Sequence, residues 1–417
     1  MTGGHPRDVE RHSPSDFHLR VNPHGPAYCF TTTGRQTATC YTLLMANSFA
    51  DNHTSNTPNT GSVYLPQLDG IRAIAVFMVV YSHWVHVEYH YDIRFGPYGV
   101  LLFFLLSGYL ITGILLRCRL TNDKWFSLRA FYARRFLRIF PLYYAVLLGA
   151  CLLNVAQAKE GILWHLAYLT NFYFIFRQEW GGAISHFWSL AVEEQFYLFW
   201  PFVIIFINTR FLLLSITLLL LVGLGSQLTI PYLFSDRYVL LNLLPNMNFD
   251  ALGIGSLLAY LHYKGRTIRF LNHMTIASAI YMATISITKW ALFGALATDY
   301  ISRLSFLIIS MWIIHVTASN SSNMLSSALS FRPLVYIGRI SYGIYILHNL
   351  AIIPVGILTR VLGFSFLHSE VAVFIMKSII TLIGACLSWH FFETPFNSLK
   401  SRFPYQRKLQ AMCPKDS

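Results

Sequence analysis

The feature that most constrains this chain is the recurrence of uncharged apolar stretches that are long enough to cross a bilayer. A transmembrane helix needs roughly 20 predominantly apolar residues, and ten such stretches follow one another between residues 71 and 391. Hydrophobic residues make up 55% of the chain and charged residues 12%, about half the charged fraction of an ordinary soluble domain. The sequence therefore predicts an all-α, polytopic integral membrane protein, and it excludes a disordered chain, a coiled coil and a small disulfide scaffold.

The predicted spans are separated by short connections that carry most of the charge. They are 71–87, 99–116, 139–157, 189–208, 211–230, 246–262, 270–288, 302–319, 336–357 and 371–391. A further segment, 161–176, is aromatic but short, and it is interpreted as interfacial or re-entrant. Counting it as an eleventh span would move every later loop to the opposite side of the membrane, which would spoil the alternation of positive charge.

Positive charge alternates between the connections and so predicts their sides. One set holds Arg117, Arg119, Lys124, Arg129, Arg134, Arg135 and Arg138, then Arg210, then Lys264, Arg266 and Arg269, then Arg332, and finally five Lys or Arg after residue 396. The alternate set holds only Arg94, Lys159, Arg177, Arg237, Lys289 and Arg360. Both termini are therefore expected to be cytoplasmic. The net charge of +13 is explained by this anchoring, and no nucleic-acid partner is predicted.

The composition divides the chain into three parts. Residues 1–63 are polar and are expected to be a disordered or over-annotated tail, with Met45 as an alternative start to Met1. Residues 64–396 form the membrane domain, and 397–417 form a basic cytoplasmic tail. The six cysteines are scattered without a CxxC pair, so neither a disulfide framework nor a metal site is predicted.

Two titratable residues on the first span point to a function. Eleven helical steps separate Arg72 from His83, which returns the second side chain to within about 20° of the first at a rise of roughly 16 Å. A cation at the cytoplasmic mouth and an imidazole deeper on the same face suit an extended substrate with an anionic head. The alternative is a snorkelling arginine and a hydrogen-bonded core histidine, but an ionisable residue within the membrane marks function by default.

Two further patterns suit a ligand that enters from the cytoplasm. Arg134, Arg135 and Arg138 share one helix face, and three guanidinium groups suit a polyphosphate; ordinary positive-inside anchoring explains them as well. Ser107 and Gly108, near the middle of the second span, let a ligand or another helix backbone approach closely.

The remaining candidates lie at depths compatible with His83. Glu193 and Glu194 are the adjacent acids of the fourth span, and Asp250, His348 and Lys377 lie in the outer halves of later spans. The glutamates are candidates for catalysis, whereas Asp250, His348, Lys377 and Tyr197 are candidates for binding the substrate. A purely structural ion pair is also possible, with Asp250 and Lys377 as the expected partners.

Seven motifs in order resemble one family over about residues 64–396. They are LDGIRAIAVFMVVYSHW, FFLLSG, RRFLR, FWSLAVEEQFYLFWP, DALGIGSLLA, RISYGIYILH and ETPF. The chain resembles acyltransferase family 3 of the membrane-bound O-acyltransferases, which includes O-antigen acetylases and macrolide 3-O-acyltransferases. The resemblance implies ten helices, an acyl-CoA donor from the cytoplasm and an outer acceptor hydroxyl. It also implies that His83 is catalytic and that Arg72 and the Arg134, Arg135 and Arg138 cluster serve the donor.

The chain departs from that family in two places. Asn248 stands where many members have an arginine, which puts the role of that position in doubt. Some members carry a C-terminal esterase-like domain, and only about 25 residues follow the last predicted span here, so that domain is expected to be absent.

The expected function is a multi-pass O-acyltransferase of a bacterial plasma membrane. It would move an acyl group, most simply acetyl, from acetyl-CoA to a sugar hydroxyl of a cell-surface polysaccharide such as lipopolysaccharide or of its lipid-linked precursor. No cofactor is expected to be bound permanently, because the acyl-CoA is a donor substrate. His83 would act as the general base, with Glu194 or Glu193 orienting its ring, or it would carry the acyl group as an acyl-histidine. Acylation of a small metabolite such as a macrolide, and transport without chemistry, are the alternatives.

Overall fold

A computed structural model of the protein describes residues 64–85, 95–234, 238–288, 295–319, 323–362 and 369–406. Within these ranges the chain forms helices and no strands, which confirms the all-α class. The predicted N-terminal tail, residues 1–63, and residues 407–417 of the basic C-terminal tail lie outside the described residues.

The helices follow one another with short connections. They are α1 (Pro66–Trp84), α2 (Phe95–Cys118), α3 (Lys124–Leu152), α4 (Ala156–Glu160), α5 (Ile162–Leu166), α6 (Thr170–Arg177), α7 (Phe187–Phe206), α8 (Leu212–Leu233), α9 (Tyr238–Leu241), α10 (Phe249–Tyr263), α11 (Leu271–Thr288), α12 (Ala295–Ser319), α13 (Met324–Leu329), α14 (Arg332–Arg339), α15 (Ser341–Leu347), α16 (Ile352–Leu362), α17 (Glu370–Leu387) and α18 (Thr394–Ser398). A π-helical turn, Ser388–Glu393, joins the last two.

Many of these helices are long and apolar enough to cross a membrane. Among the described residues, six helical runs meet that requirement: Phe95–Cys118, Lys124–Leu152, Phe187–Phe206, Thr209–Leu233, Leu296–Ser319 and Glu370–Arg402. A seventh is reached if Ser341–Leu347 and Ile352–Leu358, which are bent by 61°, form one broken span. All seven overlap predicted spans, so the chain has the architecture of a multi-pass membrane protein.

The other three predicted spans overlap α1, α10 and α11, which are helical but do not meet the same requirement. The count of ten therefore stays a prediction. The segment 161–176 consists of helices of five and eight residues, which are far too short to cross a bilayer.

Helix α2 lies at the centre of the molecule. Of the 18 most apolar consecutive residues of α2, 72% are buried, against 11% of those in Glu370–Arg402. Helix α2 is therefore surrounded by protein, whereas the last span presents leucine and isoleucine side chains outward. A Cβ on Gly108 of α2 would lie 2.2 Å from the carbonyl oxygen of Leu252, and one on Gly255 of α10 would lie 2.1 Å from that of Leu105. These two glycines let the backbones of α2 and α10 touch, as small residues do in membrane helix pairs.

Reporter fusions test the predicted sides of the membrane. We expect fusions after residues 125, 267 and 327 to report a cytoplasmic position and fusions after 95, 237 and 363 an external one, because the arginine-rich connections anchor on the cytoplasmic side. Finding residues 125 and 237 on the same side would contradict the predicted span count.

Candidate active site

Three histidines from distant parts of the sequence meet in one cluster, of which His83 is the exposed member. His83 lies in the last turn of α1, His186 directly precedes α7 and His348 directly follows α15. Nδ1 of His83 lies 2.6 Å from Nε2 of His348, with the two ring planes nearly parallel, at 10°. The ring of His186 packs against His348 at a centroid distance of 4.6 Å. His186 and His348 are fully buried.

A break in a helix holds two of these rings in place. In a continuous helix the carbonyls of Tyr345 and Ile346 would accept hydrogen bonds from the amides four residues on, but α15 ends at Leu347 and the chain bends by 61° before α16. The Tyr345 carbonyl instead lies 2.6 Å from Nδ1 of His348. The Ile346 carbonyl lies 3.2 Å from Nε2 of His186. The broken helix thus supplies backbone acceptors to two members of the cluster.

A cavity of about 100 Å³ lies beside the histidine cluster. Its lining includes three arginines from α1 and α3, two glutamates from α7, and hydroxyl side chains from α2, α7 and α15: Arg72, Arg135, Arg138, Glu193, Glu194, Ser107, Tyr197, Ser189 and Tyr345. Its lining of cations and buried polar groups suits a ligand that carries both anionic and polar groups.

The acids of the cavity differ in their hydrogen bonding. Ser107 Oγ donates to Glu193 Oε1 at 2.7 Å, and the Tyr197 hydroxyl donates to Ser107 Oγ at 3.0 Å. Glu194 Oε1 is buried and has no hydrogen-bond partner among the described residues. A buried polar atom without a hydrogen-bond partner destabilises the folded protein. The Glu194 oxygen is therefore a candidate acceptor for an N–H or O–H group of a ligand.

Arg72 is oriented by the acid one turn before it. Its Nη1 donates to Asp69 Oδ1 at 2.9 Å, and the Asp69 carboxylate is itself 8% exposed. Asp69 also accepts a hydrogen bond from the hydroxyl of Tyr64, which in turn accepts one from Arg339 Nε at 3.1 Å. The Asp69 carboxylate, which Tyr64 holds in place, therefore orients Arg72 where it lines the cavity.

The wall between the cavity and the histidines consists of Ser189 and Tyr345. Their hydroxyl oxygens lie 2.5 Å apart and are 3.2 and 3.1 Å from the carbonyl oxygen of His186, so one hydroxyl donates to the other and the second donates to the carbonyl. Because the Tyr345 carbonyl holds His348, this wall is in direct contact with the histidine cluster. The sequence analysis identified neither Ser189, Tyr345 nor His186. The sequence SHFWS, directly before the paired glutamates, is the signal that could have pointed to His186.

Several sequence-based site predictions need correction. His83 is hydrogen bonded to His348, and neither Glu193 nor Glu194 reaches it among the described contacts, so the prediction that a glutamate orients the ring is wrong. His348 is hydrogen bonded to His83, and its predicted role in binding the substrate stays a prediction. Within the Ser107 and Gly108 pair, only the serine lines the cavity, because the glycine faces the backbone of α10.

The arginine and outer-face predictions also change. Arg134 turns away from the cavity and donates to the carbonyls of Lys400 and Phe403, at 2.9 and 3.3 Å, so the three arginines do not form one patch. Asp250 forms a two-point ion pair with Arg303, at 2.7 and 2.8 Å. The predicted Asp250–Lys377 pair is therefore wrong. Lys377 lies on α17 without an ion pair to any residue that the structure describes.

Comparisons with known proteins identify the family of this chain. Residues 65–390 match the Acyltransferase domain family, Acyl_transf_3. The chain is 33% identical over 362 residues to the peptidoglycan O-acetyltransferase OatA of Listeria monocytogenes, with 80% of this chain and 56% of the relative covered. It is 29% identical to the putative peptidoglycan O-acetyltransferase YrhL of Bacillus subtilis, with 80% of this chain and 55% of the relative covered, and 29% identical to the O-acetyltransferase OatA of Staphylococcus aureus, with 80% and 57% covered.

The chain thus spans little more than half the length of these relatives. No solved structure is detectably similar to it.

Proposed function

Because the chain belongs to the Acyltransferase domain family, we propose that it is a multi-pass O-acetyltransferase of a bacterial plasma membrane. The donor is acetyl-CoA. The acceptor is a hydroxyl of a cell-wall polysaccharide, since the Listeria monocytogenes relative is named as a peptidoglycan O-acetyltransferase. The observation that supports this most strongly is the arginine-lined cavity whose wall contacts the histidine cluster.

The charged and polar lining of the cavity supports one direction for the donor. Arg135 and Arg138 hold the phosphates of CoA through charge-assisted hydrogen bonds, for which the planar guanidinium is suited. The pantetheine arm passes the glutamates, where one of its amide N–H groups donates to the buried oxygen of Glu194. The thioester then reaches the Ser189 and Tyr345 wall, where the Tyr345 ring packs against His348, the hydrogen-bond partner of His83.

The reaction needs one base and one acid, and His83 serves as both. Its Nε2 takes the proton of the acceptor hydroxyl as the oxygen attacks the thioester carbonyl carbon. When the tetrahedral intermediate collapses, the carbon–sulfur bond breaks and the imidazolium returns the proton to the sulfur. The products are the acetyl ester and free CoA, so atoms and charge balance without a further reactant.

A transfer assay tests this function. The full chain is placed in nanodiscs, where both faces are accessible, with radiolabelled acetyl-CoA and soluble peptidoglycan fragments. We expect label to enter the glycan and to be released by mild alkali, as an O-acetyl ester is. Empty nanodiscs and His83→Ala protein serve as controls. The same label in the glycan with all three samples, or none with the wild-type protein, would contradict the proposal.

A further inference from the structure

We propose that His348 is a positioning residue that fixes the ring of His83, so that the lone pair of Nε2 of His83 faces the reacting hydroxyl. This inference rests on the proposed function, since it assigns a task to a residue beside the proposed base. Its evidence, however, is the hydrogen bonding of the histidine cluster alone.

The hydrogen bonds allow one arrangement of protons for two neutral rings. A backbone carbonyl only accepts, so Nδ1 of His348, 2.6 Å from the Tyr345 carbonyl, carries the hydrogen. A neutral imidazole carries a single N–H, and Nε2 of His348 is therefore an acceptor. The 2.6 Å contact with Nδ1 of His83 then requires that His83 donates. Nε2 of His83 is left with its lone pair and makes no hydrogen bond to any described residue.

The same chain of bonds serves both states of the base. After Nε2 of His83 accepts a proton, its Nδ1–H still donates to His348, so the cation is stabilised without any rearrangement. An acid performs this task for the histidine of a serine hydrolase triad. Here the neutral imidazole of His348 stabilises the His83 cation. The Tyr345 carbonyl at the helix break accepts from Nδ1 of His348 and so fixes the tautomer of that ring.

The surroundings of His348 hold it rigidly. His186 packs against its ring and is itself bonded to the Ile346 carbonyl at 3.2 Å, while Asn349 Nδ2 donates to Nδ1 of His186 at 3.2 Å. Trp84 contacts the ring of His348 from α1, at a centroid distance of 6.3 Å. A buried, fully bonded ring loses little freedom when the base acts, which is what a positioning residue requires.

A second histidine pair provides a matched control. Nε2 of His262 lies 2.7 Å from Nδ1 of His315, and Nδ1 of His262 lies 3.0 Å from the Tyr109 hydroxyl. This pair joins α10 to α12 and does not line the cavity. Breaking it therefore removes a histidine–histidine hydrogen bond that is only 0.1 Å longer, without touching the proposed base.

The decisive variants are His348→Gln and His348→Asn. The side-chain oxygen of glutamine lies near the place of Nε2 and can accept from His83, whereas the polar atoms of asparagine reach only the place of Nδ1. In the nanodisc transfer assay we expect kcat to fall by about 10²–10⁴ in His348→Asn and to stay within about tenfold of wild type in His348→Gln. The KM for acetyl-CoA should change less than about twofold in both, and kcat of His315→Leu should change less than about threefold.

Several outcomes would overturn the inference. They are an active His348→Asn, a His348→Gln as inactive as His348→Asn, or an inactive variant whose KM for acetyl-CoA rises together with the loss of kcat. The last result, or an equal loss in His315→Leu, would assign His348 a merely structural role. Failure of the proposed function is recognised separately, because His83→Ala would then transfer acetyl as the wild-type protein does, or the wild-type protein would transfer none.

Discussion

His83→Ala protein is expected to lose acetyl transfer by a factor of about 10²–10⁴, because that is the usual contribution of a general base. The Nε2 lone pair disappears with the ring, and the hydroxyl attacks without a proton acceptor. Binding of acetyl-CoA, measured by equilibrium dialysis, should change less than about twofold, since the contacts proposed for the donor are made by other residues. Single-turnover rates with labelled acetyl-CoA then isolate the chemical step.

The control for this experiment is His315→Ala, which removes a half-buried histidine of the separate pair. We expect its transfer rate to stay within about threefold of wild type. An His83→Ala protein that transfers at the wild-type rate would remove His83 from the chemistry. One that loses acetyl-CoA binding along with the rate would make His83 a donor contact.

Arg135→Ala is expected to weaken acetyl-CoA binding by about tenfold or more, whereas Arg134→Ala should change it less than about twofold. A hydrogen bond to a charged group is worth about 1.5–3 kcal/mol, which corresponds to roughly 10- to 150-fold in affinity. Arg135 lines the cavity and packs over the ring of Tyr197. Its sequence neighbour Arg134 binds the C-terminal segment, so the two variants remove the same charge from adjacent positions.

Two further measurements define the nature of this contact. The loss in Arg135→Ala should be larger at low salt, where screening is weak. Arg135→Lys should recover part of the affinity, because the charge survives whereas the fork geometry does not. Equal losses in Arg134→Ala and Arg135→Ala would contradict the cavity as the donor site, since they would report only the total charge at the membrane surface.

The parts of the site that the sequence predicted depend on regular helical geometry. Arg72 and His83 share a helix, so their spacing alone placed them on one face, and Arg72 does line the cavity. The predicted site residues Ser107, Glu193 and Tyr197 also line the cavity, because a polar residue in a long apolar stretch has few other places. These residues were predictable because the position of each depends only on the geometry and the apolar character of the helix that carries it.

The errors arose where two distant helices had to be paired. The depths of Asp250 and Lys377 were compatible, but depth does not fix which faces meet, and Asp250 pairs with Arg303 instead. Arg134 and Arg138 are one turn apart, yet the C-terminal segment draws Arg134 away from the cavity. The partner of His83 could not be read from the sequence, because it depends on a 61° bend after α15 that frees the carbonyl of Tyr345.

The most direct test of the central claim is an experimental structure of the nanodisc-embedded protein with an acetyl-CoA analogue that has CH₂ in place of the thioester sulfur. We expect the phosphates against Arg135 and Arg138 and the acetyl group at the wall formed by Ser189 and Tyr345. One hydroxyl oxygen should then fit between the base and the carbonyl carbon, at about 2.6–3.2 Å from Nε2 of His83 and about 3–3.5 Å from the carbon. An analogue bound outside the cavity, or one whose acetyl group points away from the histidine cluster, would contradict the account.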